Sequence, residues 1–359
     1  MSDPPTDTSR GVSAVVPIYQ GERTLDAVLS ALREQAFPGP WEILVVDDRS
    51  RDGSREIAER HASEEPRVRV LDGAGRGAAS AINLGISEAR YPFLAQVDQD
   101  VVLDPGWVER LVGRLGDDEE LAAAQGHYLG DPRDGLWAGL TAFDLKERYR
   151  VLSKREFTDH VCTGNSIYRA AALSAVGGLD AAFGYGYDND LSYRLGDAGY
   201  RLAFCPDATS VHRQRLSLLD FLRRQFGYGY GRLDLVARYP KRVGGDRVSG
   251  AGMMLHAAGT AFACGALALA SVLALAGGPW PWALGASAFV LGLLILERSA
   301  AGVAAAIRHR DPLGLLFPLA HLLRDLAWTW AITLWFLRRA VGRGSKPAHS
   351  MIRPPETPA

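Results

Sequence analysis

The residues best suited to chemistry are four acidic side chains that follow apolar, strand-like runs. Asp47 and Asp48 end the run WEILVVDD, and Asp98 and Asp100 end the run FLAQVDQD. Carboxylates are costly to remove from water, so a fold places them at such ends only where a cation meets them. Two carboxylates spaced x and x+2 suit a hard divalent cation, which fills its other positions with phosphate oxygens and water. This spacing indicates Mg²⁺ or Mn²⁺ carrying a diphosphate.

The elements that position these carboxylates alternate between strand-like and helix-like runs. Strands are predicted at 12–19, 41–50, 67–73 and 93–98, and helices at 23–36, 54–62 and 77–89. This alternation predicts βαβ units and an α/β fold with a mainly parallel sheet that is covered by helices on both faces. Ligands of such sheets bind beyond the carboxyl ends of the strands, so the four carboxylates can converge on one crevice.

Composition bounds the function. The formal net charge of −1 over 359 residues gives no basic surface that would indicate nucleic acid as a partner. Cys162, Cys205 and Cys264 lack paired or metal-type spacing, which indicates reduced thiols in a cytosolic compartment. Residues 1–10 lack the basic region and apolar core of a signal peptide, so we expect a disordered lead-in.

The C-terminal third indicates a membrane region. Segments 256–276 and 280–296 are apolar and long enough to span a bilayer. Segment 313–337 contains Arg324 and Asp325 near its middle, and a full crossing would leave a basic tail outside. We therefore expect this third segment to lie along the cytoplasmic interface or to re-enter.

Five blocks resemble, in order and spacing, the family 2 glycosyltransferases of the GT-A fold. They are VVPIYQGERTLDAVLSAL, EILVVDDRSRDGS, GRGAASAINLGISEA, QVDQD and GGLDAAFGYGYDNDLSYRLGDAGYRL. The resemblance implies a GT-A nucleotide-diphospho-sugar transferase fold, followed here by transmembrane helices. The expected organisation is a lead-in (1–10), a GT-A domain (11–250, with a donor half 11–110 and an acceptor half 111–250), a membrane region (251–338) and a basic tail (339–359).

The resemblance assigns residues to the donor. It implies that Tyr19 lies against the nucleobase, that Asp48 hydrogen-bonds to the base, and that Arg76 approaches the nucleotide from a Gly-rich turn. It also assigns Pro17 and Glu22 to donor binding. Simpler alternatives stay open, since Asp48 can be a turn or capping residue and Tyr19 a core aromatic.

The resemblance also assigns metal ligands. It implies that Asp98 faces the ribose or the metal, that Asp100 is the principal ligand of Mg²⁺ or Mn²⁺, and that His212 completes the metal shell. The two carboxylates can instead form a solvated strand end, and His212 can be a structural histidine.

In the family that these blocks resemble, an acidic pair before Asp-Leu marks the general base. Here that block reads YDNDL, with Tyr187 in place of the usual first Glu. Asp188 matches the base position, while Asp190 stays an alternative for that role or a helix ion pair with Arg194. One base without a second carboxylate nucleophile fits an inverting displacement, in which the base takes the proton of the acceptor hydroxyl.

The expected function is transfer of one sugar from a nucleotide-diphosphate sugar to a lipid-linked or glycan acceptor at the membrane, in cell-envelope synthesis. The catalytic part is expected at the inner membrane, facing the cytoplasm. A processive synthase is an alternative, although RRQFGYGYGR contains Gln225 without the Arg-Trp of the processive block. A non-catalytic nucleotide-sugar-binding module also stays open.

Two further enzyme classes fit less well. Gly73, Gly75 and Ala78 satisfy a dinucleotide-binding fingerprint, but they follow the third strand, and a dehydrogenase leaves YDNDL and the membrane helices unexplained. A nucleotidyltransferase would need a triphosphate loop richer in Lys and Arg than PIYQGERT.

Overall fold

The structure is a computed structural model that describes residues 10–214 and 216–342. Its strands are β1 (Val12–Ile18), β2 (Trp41–Asp47), β3 (Val68–Asp72), β4 (Phe93–Val97), β5 (Val101–Leu103), β6 (Leu121–Gly130), β7 (Asn165–Arg169) and β8 (Arg201–His212). Its α-helices are α1 (Leu25–Arg33), α2 (Ser54–Glu64), α3 (Ala78–Glu88), α4 (Trp107–Leu115), α5 (Leu136–Leu152), α6 (Ala170–Ala175), α7 (Tyr187–Asp197), α8 (Leu218–Arg238), α9 (Ala251–Leu275), α10 (Trp280–His309) and α11 (Phe317–Ala340). The predicted lead-in and basic tail fall outside the described residues, apart from Arg10 and residues 339–342.

The strands form one mixed sheet in the order β3-β2-β1-β4-β7-β6-β8-β5. The four predicted strands are confirmed as β1 to β4, and they pair in parallel. The remainder is less parallel than expected, because β7 runs antiparallel to both β4 and β6, and β5 runs antiparallel to β8. This mixture is the arrangement that brings the end of β8 back beside β5, just after the paired carboxylates.

The parallel core explains why the strands read as continuous apolar runs. All seven residues of β1 and all seven of β2 are buried, as expected for strands covered on both faces. The register places Ile18 opposite Asp47 and Asp47 opposite Asp72, so the carboxyl ends of these strands share one edge. The acidic residues at the ends of β2 and β4 therefore lie along this edge.

The chain divides into two compact units. Within the described residues, the first comprises 10–134 and 148–214, and the second comprises 135–147 and 216–342. The expected division at residue 250 differs from this one because α8 packs on α11, where the indole of Trp328 donates to Gln225 Oε1 at 3.3 Å. Each unit has its own buried core.

Two helices of the second unit, α9 and α10, are long and apolar enough to cross a membrane. The α10 helix has 30 residues and continues past the predicted second segment, 280–296, to His309. The Ala-rich stretch SAAGVAAAI has high helix propensity and no proline. The helix ends at Arg310, whose φ of 52° places it in the left-handed region, shortly before Pro312.

Candidate active site

Asp48 organises the Gly-rich loop between β3 and α3. Its Oδ1 accepts from the amide of Gly75 at 2.7 Å and of Arg76 at 3.2 Å, and its Oδ2 accepts from the amide of Gly77 at 2.7 Å. The loop needs glycine at two of these positions, where φ is 72° and 96°. Only 2% of Asp48 is exposed, so these bonds are well shielded from water. Asp48 thus acts from beneath the loop, while the side chain of Arg76 is exposed above it.

This arrangement argues against the dinucleotide-binding alternative. In that motif the amides of the Gly-rich turn receive a pyrophosphate at the helix N-terminus. Here the same amides, from Gly75 to Gly77, already donate to the carboxylate of Asp48. The Asp48 carboxylate therefore accepts the hydrogen bonds that a bound pyrophosphate would need.

We expect Asp48→Asn to lower stability by about 1–3 kcal/mol, because the Asn amide group presents donors to backbone amides that need acceptors. Thermal unfolding of the purified chain measures this change. Asp72→Asn is the matched control, since Asp72 ends the next strand with an 84% exposed side chain. Equal melting temperatures for the two variants would contradict the assignment.

The segment after β1 is fixed by side chains from its neighbours. The backbone N–H of Tyr19 donates to Gln99 Oε1 at 2.8 Å, and Gln99 Nε2 donates back to the carbonyl of Tyr19 at 3.0 Å. Glu22 Oε2 accepts from the amide of Gly53 at 2.9 Å. Pro17 is buried within β1, whereas the ring of Tyr19 is exposed at the sheet edge. Of the predicted donor residues, Tyr19, Glu22 and Arg76 are exposed, and Glu22 already accepts a hydrogen bond from the backbone of Gly53.

Asp98 is a carboxylate in an enclosed position. Its Oδ1 accepts from Gln96 Nε2 at 3.0 Å, and its backbone N–H donates to the carbonyl of Gly164 at 3.1 Å. Burial, followed by the neighbouring charge of Asp100, raises the pKa of Asp98 to about 6; the charge of Asp188 acts in the same direction. The carboxylates of Asp98, Asp100 and Asp188 are thus close enough to repel one another. A cation bound between them would relieve this repulsion.

Gly164 makes room for Asp98. A Cβ atom at residue 164 would overlap the Asp98 carboxylate, so any side chain there displaces it. We expect Gly164→Ala to weaken metal-dependent donor binding, at a packing cost of about 1–3 kcal/mol. Donor titration by calorimetry with and without Mn²⁺ tests this. Gly113→Ala, on α4 with nothing within 4 Å of the added Cβ, is the control and should bind donor normally.

Asp100 meets His212 across the β5–β8 pairing. The His212 Nε2 lies 3.2 Å from Asp100 Oδ2, and the imidazole stacks on Tyr128 with ring centroids 5.0 Å apart. The side-chain amide nitrogen of Gln214 also contacts His212 Nε2, at 2.6 Å, and the backbone N–H of Arg213 donates to the Asp100 carbonyl at 2.7 Å. The contact joins two residues that lie 112 positions apart in sequence.

This site contains the kinds of side chain that bind a divalent cation. Two carboxylates, Asp98 and Asp100, and the imidazole of His212 offer oxygen and nitrogen ligands, and Asp98 is half-buried beside like charges. In residues 10–214 and 216–342, no three His, Cys, Asp or Glu side chains are yet close enough to hold a metal. The residue types and charge fit the ion, which would complete its shell with diphosphate oxygens.

Asp188 and Asp190 have different environments in α7. Asp188 is 23% exposed at its side chain; Oδ1 accepts from the amide of Asn189 at 2.9 Å, and Oδ2 lies 3.4 Å from His160 Nε2. Asp190 has a fully buried side chain, and its Oδ2 accepts from Arg194 Nε at 2.8 Å. Only Asp188 is accessible to an acceptor hydroxyl.

Sequence reasoning missed three residues of this site. Gln99 clamps the Tyr19 backbone, Gly164 makes space for Asp98, and His160 lies beside Asp188. Gln99 stands inside the QVDQD block, which is a readable signal. His160 and Gly164 belong to an irregular stretch with no periodicity, so the sequence carries no comparable signal for them.

Comparisons with known proteins find relatives over most of the chain. The family model described as glycosyl transferase family 2 matches residues 13–177. The succinoglycan biosynthesis protein ExoA of Rhizobium meliloti is 29% identical over 350 residues, which cover 94% of this chain and 99% of that protein. The undecaprenyl-phosphate mannosyltransferase of Micrococcus luteus is 30% identical over 218 residues, covering 56% of this chain and 84% of that protein.

Solved structures show the same fold. A mannosyltransferase from Pyrobaculum calidifontis, PcManGT in complex with GDP-Man and Mn²⁺, superposes with a TM-score of 0.53 at 20% identity, covering 88% of this chain and 86% of that one. Residues 1–349 of TarS from S. aureus superpose with a TM-score of 0.50 at 16% identity, covering 92% of each chain. The mixed sheet with flanking helices is therefore a GT-A-type sheet.

Proposed function

Because the chain belongs to the family 2 glycosyltransferases, we propose that it transfers one sugar from a nucleotide-diphosphate donor to a lipid-linked acceptor, with inversion at the anomeric carbon. The observation that carries this proposal is the contact of His212 with Asp100, next to the enclosed carboxylate of Asp98. These groups, at the carboxyl edge of the parallel strands, are where such a sheet binds its ligand.

Donor binding would use the exposed groups at that edge. The ring of Tyr19 provides a flat surface for a nucleobase, and Arg76 provides a positive charge above its loop. Asp98, Asp100 and His212 would hold Mg²⁺ or Mn²⁺, which when bound supplies Lewis-acid stabilisation to the departing diphosphate. Asp48 contributes indirectly by fixing the loop that carries Arg76.

Asp188 would act as the general base. Its carboxylate is partly exposed, and His160 and the Asn189 amide hold its two oxygens in place. A carboxylate in this position can accept the proton of an acceptor hydroxyl as the hydroxyl oxygen attacks the anomeric carbon. Asp190 would have a structural role, because its charge is compensated by Arg194 inside the fold.

The acceptor class is supported by the membrane-type helices and by the relatives. The apolar α9 and α10 provide a membrane attachment, and one relative is by name an undecaprenyl-phosphate mannosyltransferase. Nucleotide-sugar use would place the catalytic unit on the cytoplasmic side of the inner membrane. ExoA, by name a succinoglycan biosynthesis protein, supports a role in envelope or secreted polysaccharide assembly.

The test combines donor and acceptor panels with the full-length protein in lipid nanodiscs. We expect one nucleotide sugar to yield a singly glycosylated polyprenyl-linked product, with nucleoside diphosphate released in equal amount and only in the presence of Mg²⁺ or Mn²⁺. Products extended by many sugars would instead indicate a processive synthase. Donor binding without release of nucleoside diphosphate, with every acceptor, would indicate a non-catalytic module.

A further inference from the structure

Helix α11 buries charged side chains together with apolar ones and exposes several large apolar side chains. His321, Arg324 and Asp325 are buried, with 4%, 5% and 3% exposure, whereas Leu326 and Trp330 are 41% and 61% exposed. A helix that faces water buries its apolar stripe and exposes its charges. Buried charges combined with exposed large apolar side chains are expected where the surroundings of the outer face are themselves apolar.

The buried charges fix which face points outward. Arg324 Nε donates to Asp325 Oδ1 at 2.9 Å, and Asp325 Oδ2 lies 3.7 Å from His256 Nδ1 on α9. His321 Nε2 lies 3.3 Å from Asp144 Oδ1 on α5, within the same unit. Rotating α11 would separate these partners and leave buried charges uncompensated, which is strongly unfavourable. The outward position of the apolar side chains is therefore built into the packing.

The path of α11 distinguishes it from the two spanning-type helices. Its first half contacts α10, where Phe317 packs with Ala305. Its second half follows α8, where the Trp335 indole donates to Asp234 Oδ1 at 2.8 Å. The α8 helix carries several arginines: Arg223, Arg224, Arg232 and Arg238. A helix with this charge content does not cross hydrocarbon, so the half of α11 that lies along it does not cross either.

The end of α11 combines apolar and basic residues. Phe336 and Leu337 are 59% and 56% exposed, and the last turn contains Arg338 and Arg339. Arg339 also lies over the ring of Trp335, 3.8 Å from its centroid. Exposed aromatic and aliphatic side chains beside arginines match the boundary between acyl chains and anionic headgroups.

We propose that the outer face of α11, formed by Leu319, Leu326, Trp330, Phe336 and Leu337, is a membrane-interface surface that binds the headgroup region of a leaflet containing anionic phospholipid. The surface is continuous in sequence and packing with α10, one of the two helices long and apolar enough to cross a bilayer. Arg338 and Arg339, in the last turn of the same helix, add positive charge that complements an anionic leaflet. The inference is independent of which sugar or acceptor the enzyme uses.

Depth measurement tests the position of the surface. Variants lacking the native cysteines carry one cysteine, Trp330→Cys or Leu337→Cys, labelled with a fluorophore, in full-length protein in nanodiscs. Lipids brominated near the headgroup should quench both labels more than lipids brominated near the chain ends. Leu267→Cys on α9 should show the opposite order, and Ser63→Cys on α2 should be quenched by neither lipid.

Lipid charge is tested with the same labels. Shallow brominated anionic lipid should quench the Trp330→Cys label more than zwitterionic lipid at equal fraction. The double change Arg338→Gln and Arg339→Gln should reduce that enrichment, by about fivefold for each arginine that lies near the surface. Arg90→Gln, in the first unit, is the matched control and should leave the enrichment unchanged.

Three results would overturn the proposal. Strongest quenching of Trp330→Cys by the deep lipid would make α11 a third spanning helix. No quenching by either lipid, with the Leu267→Cys label responding normally, would mean that water or another protein covers this face. Equal enrichment of anionic and zwitterionic lipid at the label would show that the surface does not select anionic lipid.

Discussion

Asp188→Asn should lower turnover by about 10²–10⁴-fold while donor affinity and melting temperature stay close to those of the parent chain. The amide preserves the shape of the carboxylate but cannot accept the proton of the acceptor hydroxyl, and a positioned base contributes a factor of this size. Asp188 is partly exposed at its side chain, and asparagine keeps a side-chain oxygen that can face His160. Single-turnover transfer with saturating donor, together with calorimetric donor titration, measures both quantities.

Asp190→Asn is the matched control, two residues along the same helix. Its carboxylate is fully buried against Arg194, so the change should reduce stability by up to about 3–5 kcal/mol. Turnover per folded molecule should fall much less than in Asp188→Asn. A large loss of turnover in Asp190→Asn without loss of stability, and a small one in Asp188→Asn, would move the base to Asp190.

The strands and their acidic ends could be predicted because a strand buried on both faces needs a continuous apolar run. The runs 12–19 and 41–50 match β1 and β2, with every residue of both strands buried. Parallel pairing then places Asp47 and Asp48 at the same edge as Asp98 and Asp100. The shared edge therefore follows from the apolar runs and the parallel register of the strands, without any knowledge of side-chain contacts.

The roles of individual acidic residues could not be predicted in the same way, because they depend on burial and on partners distant in sequence. Asp48 was expected to bind a nucleobase, yet in the structure its carboxylate holds three backbone amides. The sequence left Asp190 either as an alternative base or as an ion-pair partner of Arg194, and only the packing shows that it is buried against Arg194. The nucleobase role of Asp48 stays a prediction, which a donor complex would test.

The membrane region shows a further limit of pattern. Glu297 and Arg298 were expected to end the second apolar segment, but α10 continues through them. The charges are tolerated because Glu297 Oε2 lies 3.0 Å from His256 Nε2 on α9. A charge after an apolar segment therefore does not by itself end the helix, and the partner of Glu297 becomes visible only after the helices pack.

Asp100→Ala should abolish transfer and remove the metal dependence of donor binding at the same time. The residue pairs with His212 at the carboxyl edge and lies beside the enclosed Asp98, so its loss removes the accessible carboxylate of the proposed metal site. The fold should tolerate the change, because the Arg213 amide bonds to the backbone carbonyl of residue 100 and not to its side chain. Mutant and parent should therefore unfold at similar temperatures in the absence of metal.

Asp104→Ala is the control for Asp100→Ala, because it removes a carboxylate from the same segment. Asp104 is 38% exposed at its side chain and pairs with Arg110, away from His212. It should retain metal-dependent donor binding and transfer. Titrating each variant with donor, with Mn²⁺ and with chelator, separates the two sites. If Asp100→Ala still binds donor more tightly with Mn²⁺ than with chelator, as the parent is expected to, then Asp100 is not a ligand, and the metal must be held through Asp98 and His212 alone.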